Sequence, residues 1–326
     1  METAELRPLS LGELLDRTFT LYRGHFWVFV GIMAIPAALG IPITFLVLQF
    51  DVNMFANPAN PVPPSPGLIF GFLGGYLIIM IVLMIAYSIV AAAITYAVSE
   101  AYLGRKSSIS AAYKSVRGKV WRLFGVALNV LVRLMGIMMG VGVVVGVLGV
   151  LLLAALGAAG TVAAASQVAV GLVVIAFAIA LYISALSAMI YLALRYAVAI
   201  PALVLEDLGV LASIRRSVQL TKGRRGHVFI ALLLAWFISI VGLIVFYMPF
   251  YIPTMIMMAR SHTVPTWLAM MSSVSAAVGS SITSPIFLIV LVLCYYDTRI
   301  RKEAFDLQFM MASLDRPAAA GTVPSA

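Results

Sequence analysis

The chain has 326 residues, of which 63% are hydrophobic and only 10% are charged. Soluble domains carry about 25% charged residues, so this chain cannot cover its apolar surface in a water-facing fold and is predicted to be an integral membrane protein. The net charge of +9 gathers around the ends of apolar runs rather than along one stripe, which argues against nucleic acid as a partner. The one cysteine, Cys294, excludes an intramolecular disulfide.

Six apolar runs are each long enough to cross a bilayer, since a spanning helix needs about 20 residues at about 1.5 Å per residue. Runs of this length do not suit barrel strands, so we expect an all-α polytopic membrane protein. The runs cover Phe26–Phe50, Leu68–Val98, Leu123–Leu156, Val168–Leu194, Val228–Met258 and Trp267–Tyr296. No cleavable signal peptide is expected, because the first 25 residues carry four acidic side chains and lack a basic segment before an apolar core.

Lysine and arginine set the expected orientation, because they accumulate in the cytoplasmic loops of membrane proteins. Nineteen of the 21 basic residues lie in the N-terminal segment, the second and fourth connections and the C-terminal tail. The opposite side carries only Arg260, and Arg133 lies within the third run. We therefore expect a multi-pass membrane protein with both termini in the cytoplasm.

Three similar motifs precede the odd-numbered runs: RGHFW begins at Arg23, RGKVW at Arg117 and RGHVF at Arg225. Each follows a stretch predicted to form an amphipathic helix, and the first stretch opens with a capping box of Ser10 and Glu13. We expect these helices to lie in the membrane interface with their apolar faces toward lipid. The glycine of each motif is expected to let the chain turn from the surface helix into the span.

The motifs predict three repeats of a surface helix, a span, a short outer loop and a second span, followed by a C-terminal amphipathic helix. The repeat units cover residues 9–98, 107–200 and 208–296, the C-terminal helix covers 297–314, the single membrane domain covers 1–316, and a disordered tail covers 317–326. The alternative is that any basic entry into a membrane carries glycine and aromatic residues. A basic–hydroxyl–apolar triplet precedes each motif, but it begins six, three and nine residues before the three motifs in turn, which weakens strict duplication.

Arg133 has two possible positions. If the third span begins at Leu134, the Arg133 side chain reaches the inner interface by snorkelling. If Trp121 marks the interface, Arg133 lies near mid-membrane at a cost of about 2.5–3.5 kcal/mol and requires a partner inside the bundle. Asn129 lies one turn earlier on the same face, so Arg133 and Asn129 form a candidate intramembrane polar site.

Small residues and prolines mark three of the runs. Five glycines in the third run predict close helix packing, with a substrate path as the minor alternative, and they are Gly136, Gly140, Gly142, Gly146 and Gly149. The pairs Gly136/Gly140 and Gly142/Gly146 have GxxxG spacing. Prolines interrupt the first and fifth runs, where they kink the helix or open a gate, and they are Pro36, Pro42, Pro249 and Pro253.

Histidines occupy equivalent positions of two motifs, His25 and His227, but no carboxylate or cysteine stands near them in the sequence. No metal site is therefore predicted. The sequence also lacks a Ser-His-Asp set, a P-loop and a dinucleotide fingerprint, so we predict no catalytic residues, no cofactor-binding residues and no cofactor.

Two segments carry a resemblance to a known family. Residues 195–223 read RYAVAIPALVLEDLGVLASIRRSVQLTKG, and residues 295–309 read YYDTRIRKEAFDLQF. Both resemble the membrane domain found beside some glycerophosphoryl diester phosphodiesterases, which also occurs alone in bacterial membrane proteins. The matching positions are Arg195, Pro201, Glu206, Arg216, Ser217, Leu220 and Gly223, and then Tyr296, Asp297, Arg299, Arg301, Glu303 and Asp306. Residues 9–24 also fit the family's usual opening, whereas Ala304 stands where the family pattern has glycine.

The resemblance implies a six-span membrane domain of unassigned activity, and we expect it in the bacterial inner membrane. We expect no phosphodiesterase barrel, since 30 residues follow Tyr296. The leading hypothesis is a non-catalytic scaffold or accessory domain that engages anionic lipid headgroups or partner proteins, including further copies of itself, from the cytoplasmic face. The candidate contact residues are Arg23, Arg117, Arg225, Arg195, Arg216, Glu206, Asp297, Arg299, Arg301, Glu303 and Asp306.

The alternative function is a transporter or lipid-handling permease, and an embedded enzyme comes third because no acid/base set is visible. A polar cluster inside the membrane around Arg133 would favour transport. A sealed apolar bundle would favour the scaffold.

Overall fold

The computed structural model describes residues 9–55, 65–158, 164–261 and 264–303. These residues form α-helices joined by short turns, with one 3-10 turn at Arg117–Lys119 and no strand within the described ranges. The helices are α1 Leu11–Gly24, α2 Phe26–Phe55, α3 Pro66–Tyr102, α4 Ile109–Val116, α5 Val120–Ala158, α6 Ala164–Tyr196, α7 Ala199–Glu206, α8 Val210–Thr221, α9 Arg225–Ser261 and α10 Thr266–Glu303.

Six of these helices, α2, α3, α5, α6, α9 and α10, are long and apolar enough to cross a membrane. The prediction of an all-α, six-span fold is therefore confirmed. The short helices α1, α4, α7 and α8 lie at the end of the bundle where α2, α5 and α9 begin and α3, α6 and α10 end. We call this end, with its short helices and the last turns of α10, the basic face.

Helix α10 lies at the centre of the core. It packs along α2 and α9, and it also contacts α1, α3, α7 and α8. Glycines allow α9 and α10 to approach closely, because a Cβ atom on Gly279 would lie 2.9 Å from the Cβ of Phe246. On the facing side, a Cβ on Gly242 would lie 2.6 Å from the Cγ2 of Thr283. Neither position has room for a side chain, so these glycines set the distance between the two helices.

The α5–α6 hairpin is peripheral. The two helices pack against each other, and α5 also contacts α3 and α8. Large side chains on α5, such as Met139 at 67% and Val143 at 63% exposure, point away from the bundle. A Cβ on any of the five glycines predicted to pack closely would meet no other described atom within 4 Å. The close packing predicted from their GxxxG spacing is therefore not found among the described residues, because this face of α5 is turned outward.

Helix α1 begins with the predicted capping box. The Ser10 hydroxyl accepts from the Glu13 backbone N–H at 3.3 Å, and the Glu13 carboxylate accepts from the Ser10 N–H at 2.8 Å. The buried residues of α1 include Leu14 and Tyr22, and the Tyr22 hydroxyl donates to the carbonyl of Ile282 in α10 at 2.5 Å. This stripe therefore faces the protein and not lipid, contrary to expectation, because α10 offers it both packing contacts and a hydrogen-bond acceptor.

The turn into the fifth span is made by a different glycine from the one predicted. Gly226 already lies in the first turn of α9, whereas Gly223 adopts a left-handed φ of 82° between α8 and α9. Gly223 suits this position because glycine has no Cβ to clash there. In the second motif, Gly118 lies within the 3-10 turn, so the chain enters α5 through helical backbone.

Helix α10 continues without a break from the membrane segment through Asp297 to Glu303. The rest of the predicted C-terminal helix, including Asp306, and the tail at 317–326 lie outside the described residues. The prolines of the first and fifth runs lie inside the continuous helices α2 and α9. The threefold repeat stays a prediction.

Candidate functional site

An ionic network joins three helices at the basic face. Arg216 of α8 donates through Nε to both carboxylate oxygens of Glu206, at 3.1 and 2.8 Å, where Glu206 is the last residue of α7. The Arg216 Nη2 donates to Glu303 Oε2 at the end of α10, at 2.8 Å. The side chains of Arg216, Glu206 and Glu303 are only 22%, 18% and 26% exposed, so solvent screens these ion pairs weakly.

Two residues of α10 complete the ionic network, which consists of Glu206, Arg216, Tyr295, Arg299 and Glu303. The buried Tyr295 hydroxyl donates to Glu206 Oε1 at 2.7 Å and accepts from Arg299 Nη1 at 3.2 Å. The Arg299 Nε lies 3.3 Å from Glu303 Oε2 and 3.7 Å from Glu206 Oε1. Two carboxylates thus face two guanidinium groups, and the charges balance.

The electrostatics of the ionic network favour a structural role. The hydrogen bond to Glu303 is the largest effect that raises the pKa of Arg216, while partial burial acts in the opposite direction. The hydrogen bond from Arg216 is also the largest effect on the pKa of Glu303, which it lowers, while partial burial acts in the opposite direction. Glu206 and Glu303 therefore hold α7, α8 and α10 together through their hydrogen bonds with Arg216.

A second cluster, the N-terminal anchor of Leu9, Asp297 and Arg301, ties the start of α1 to α10. Asp297 is 1% exposed and accepts from the Leu9 backbone N–H at 2.9 Å. Arg301 donates through Nε to both Asp297 oxygens, at 2.9 and 3.0 Å, and through Nη2 to the Leu9 carbonyl at 2.8 Å. His227 Nε2 lies 3.9 Å from Asp297 Oδ2. Groups of three or more potential metal ligands are absent from the residues that the structure describes.

Asp207 connects the α7–α8 turn to the start of α5. Its carboxylate lies 2.9 Å from Lys119 Nζ and 3.2 Å from Arg122 Nη1, and Lys119 also donates to the Val204 carbonyl at 3.1 Å. The hydrogen bond from Lys119 and then the charges of Lys119 and Arg122 lower the pKa of Asp207. Asp207 also has a left-handed φ of 50°, a conformation that aspartate tolerates better than most residues.

Arg133 lies beside the inner end of α6. Its Nη1 donates to the hydroxyl of Tyr196, the last residue of α6, at 2.6 Å, and its guanidinium carbon lies 5.2 Å from the centre of the Tyr196 ring. Because α6 ends here, this contact supports the interfacial position of Arg133 and not the mid-membrane one. The buried Asn129 side-chain oxygen has no hydrogen-bond partner among the described residues, so Asn129 does not join Arg133 in a polar site.

An open cleft of about 360 Å³ lies next to this contact. We call it the arginine cleft, and its lining residues are Arg133, Arg195, Tyr196, Leu211, Ile214, Arg215, Val218 and Gln219. Three of these side chains are arginines and none is acidic. Arg195 comes from the end of α6 and Arg215 from α8, and the Ser217 hydroxyl joins these helices by donating to the Arg195 carbonyl at 2.9 Å.

The structure brings together some of the residues predicted from the sequence and separates others. Glu206, Arg216, Arg299 and Glu303 form the ionic network, Asp297 and Arg301 pair in the N-terminal anchor, and Arg195 joins Arg133 in the arginine cleft. Arg23 and Arg117 are exposed and have no ion pair or hydrogen bond among the described residues. Arg225 instead donates to the Tyr191 hydroxyl at 2.8 Å and stacks on its ring.

Sequence reasoning missed the contribution of Arg215 and of Asp207. The signal for Arg215 was the adjacent pair Arg215-Arg216, because neighbouring residues on a helix point about 100° apart and cannot share one site. No comparable signal marked Asp207, since its partners Lys119 and Arg122 lie far away in the sequence.

Comparison with known proteins found a match to a family model that covers residues 173–310. No curated protein and no solved structure matches the sequence. The ionic network, together with Arg195 and Arg215 of the cleft, lies within one matched region, whereas Arg133 and Leu9 lie outside it. That region, residues 173–310, matches the family model described as the membrane domain of glycerophosphoryl diester phosphodiesterase, which confirms the resemblance noted in the sequence.

Proposed function

We propose that the chain is a non-catalytic scaffold or accessory membrane domain whose basic face engages anionic phospholipid headgroups on the cytoplasmic side of the inner membrane. One contrast carries this proposal. Glu206 and Glu303 are held by arginines inside the ionic network, whereas Arg23, Arg117 and Arg215 are exposed and make no ion pair among the described residues. Lipid phosphates are the natural partners for such a surface, because each basic residue near an anionic membrane contributes about 1 kcal/mol of attraction.

The charge distribution supports the orientation. Of the 19 lysines and arginines that the structure describes, 17 belong to segments at the basic face, while Arg260 lies at the far end of α9. Such an asymmetry is typical of cytoplasmic loops. Reporter fusions at Ser325 and within residues 57–66 test it, with a cytoplasmic signal expected from the first and an external signal from the second. Signals from the same side would contradict the six-span topology.

A non-catalytic role is supported by the contacts of the charged residues that match the family pattern. Several of these side chains bind one another across α7, α8 and α10, and they thereby join the helices. We therefore expect the purified protein to leave glycerophosphodiesters intact. Hydrolysis that copurifies with the folded protein, and disappears when it is unfolded, would refute this part of the proposal.

A permease is the second candidate, because a cleft of about 260 Å³ opens between α2, α3, α9 and α10. Tyr87, Ser273 and Ser280 contribute its polar groups. The Ser273 and Ser280 hydroxyls donate to carbonyls one turn earlier in α10, at 2.8 and 3.0 Å, so they are already satisfied within their own helix. For this reason the scaffold remains the favoured function.

Lipid retention provides the direct test. Native mass spectrometry of the protein released from nanodiscs that contain phosphatidylglycerol should detect bound anionic lipid. Replacing Arg23, Arg117 and Arg225 together by glutamine should lower the number of retained lipids without preventing insertion. A wild-type protein that retains no anionic lipid would refute the proposed function.

A further inference from the structure

We propose that the arginine cleft is a discrete site for a phosphate group, filled in the membrane by the phosphate of a glycerophospholipid. The inference rests on the proposed function but is more specific, because it assigns one phosphate to Arg133, Arg195 and Arg215. These residues differ from the arginines of the three sequence motifs, Arg23, Arg117 and Arg225.

The charge of the cleft calls for an anion. Three guanidinium groups line it, and the lining includes no carboxylate. The Nε of Arg195 is buried and has no hydrogen-bond partner among the described residues, which is costly for a charged donor. By contrast, the neighbouring Arg216 forms ion pairs with Glu206 and Glu303. A phosphate supplies what the cleft lacks, since its oxygens accept paired N–H groups from arginine.

The cleft is organised before a ligand arrives. The Tyr196 ring lies under two of the guanidinium groups, with its centre 5.2 Å from the Arg133 carbon and 5.9 Å from the Arg195 carbon. The Tyr196 hydroxyl also accepts from Arg133 at 2.6 Å. Stacking and hydrogen bonding both restrict these long side chains, so less conformational entropy is lost when an anion binds.

The surroundings of the cleft favour a lipid over free phosphate. Its volume of about 360 Å³ is in the range of small-molecule sites. Leu211 and Val218 of α8 give it an apolar wall. Val132 and Met135, which flank Arg133 on α5, are 60% and 53% exposed on the outer surface of the bundle. A phosphate held by the arginines would therefore have an apolar surface beside it for acyl chains.

The test measures binding of three soluble probes to the protein in neutral detergent: short-chain phosphatidic acid, the matching diacylglycerol and inorganic phosphate. The double variant Arg195→Gln, Arg215→Gln should bind phosphatidic acid at least about tenfold more weakly, since it removes two charge-assisted contacts. Arg260→Gln changes the same charge at the opposite end of the bundle and should bind as the wild type does. Diacylglycerol, which lacks phosphate, should bind weakly to every variant.

The single variant Arg215→Gln keeps the test valid if the double variant fails to fold, because Arg215 is exposed and makes no hydrogen bond or ion pair among the described residues. It should still weaken phosphatidic acid binding several-fold. Inorganic phosphate that binds as tightly as the lipid, with the same dependence on Arg215, would support the site and identify free phosphate as its ligand. Equal lipid binding by Arg215→Gln and Arg260→Gln would overturn the inference.

The cleft and the general function can fail separately. If lipid retention falls in the variant of Arg23, Arg117 and Arg225 but not in the cleft variants, the cleft proposal is refuted and the proposed function stands. If the wild type binds neither anionic lipid nor phosphate, both are refuted.

Discussion

Arg216→Met should destabilise the protein strongly, because Arg216 is the cation that joins Glu206 of α7 to Glu303 of α10. Its removal leaves two mostly buried carboxylates near each other, with Arg299 as their remaining arginine partner in the network. Breaking a buried ion pair from one side costs about 3–5 kcal/mol. Since these side chains are 18–26% exposed, we expect about 3 kcal/mol, the lower end of that range.

The matched control is the neighbouring residue. Arg215→Met removes the same charge from the same helix, but Arg215 has no ion pair among the described residues and should change the unfolding free energy by less than about 0.5 kcal/mol. Both variants are unfolded reversibly in mixed micelles without added anionic lipid, so that occupation of the arginine cleft does not contribute. Adding Glu303→Gln to Arg216→Met should recover part of the loss, because it removes one of the two carboxylates that would then share Arg299. Equal stabilities of the two arginine variants would refute the structural role of the ionic network.

Three further substitutions, and one matched control, test other parts of the fold. Gly279→Val should destabilise by about 1–3 kcal/mol by overpacking the α9–α10 contact, whereas Gly146→Val, which faces open space, should be nearly neutral in the same unfolding assay. Arg133→Leu should lower stability by about 1 kcal/mol through loss of one hydrogen bond, and a loss above about 3 kcal/mol would indicate a buried charge instead. The pKa of Asp207 is lowered below its ordinary value of 3.8, so its contribution to stability is present above that value and is lost as the pH falls through the lowered pKa. Asp207→Asn should reduce this acid sensitivity, measured as the unfolding midpoint between about pH 5 and pH 2.

The sequence predicted the six spans because helices in lipid must be apolar over a length fixed by the bilayer. It also predicted the capping box of α1, since Ser10 and Glu13 interact within one turn and need no tertiary partner. The i,i+4 pairs Asp297–Arg301 and Arg299–Glu303 form for the same reason. Features that depend only on residues close in the sequence were therefore predictable.

The arrangement of the spans was harder to predict, because lipid-facing and protein-facing surfaces in a membrane are both apolar. The glycines of α5 have the spacing of a packing motif yet face outward, whereas Gly242 and Gly279, which lie outside any GxxxG pair, mark the close contact of α9 with α10. The sequence of α10 does contain a feature that is consistent with its central position. Its small polar residues, such as Ser281 and Thr283, are buried and satisfied by carbonyls of their own helix.

The pair Arg215-Arg216 shows how a short surface helix can serve structure and binding at once. The two side chains leave α8 about 100° apart. Arg216 fixes α8 to α7 and α10 through the ionic network, and this fixed position presents Arg215 to the cleft beside Arg195. Ser217 adds a hydrogen bond from α8 to the Arg195 carbonyl, so the cleft and the network share one rigid support. A phosphate that binds only the folded cleft therefore stabilises the whole α6–α7–α8–α10 assembly, by about 2.7 kcal/mol when its concentration is one hundred times its Kd.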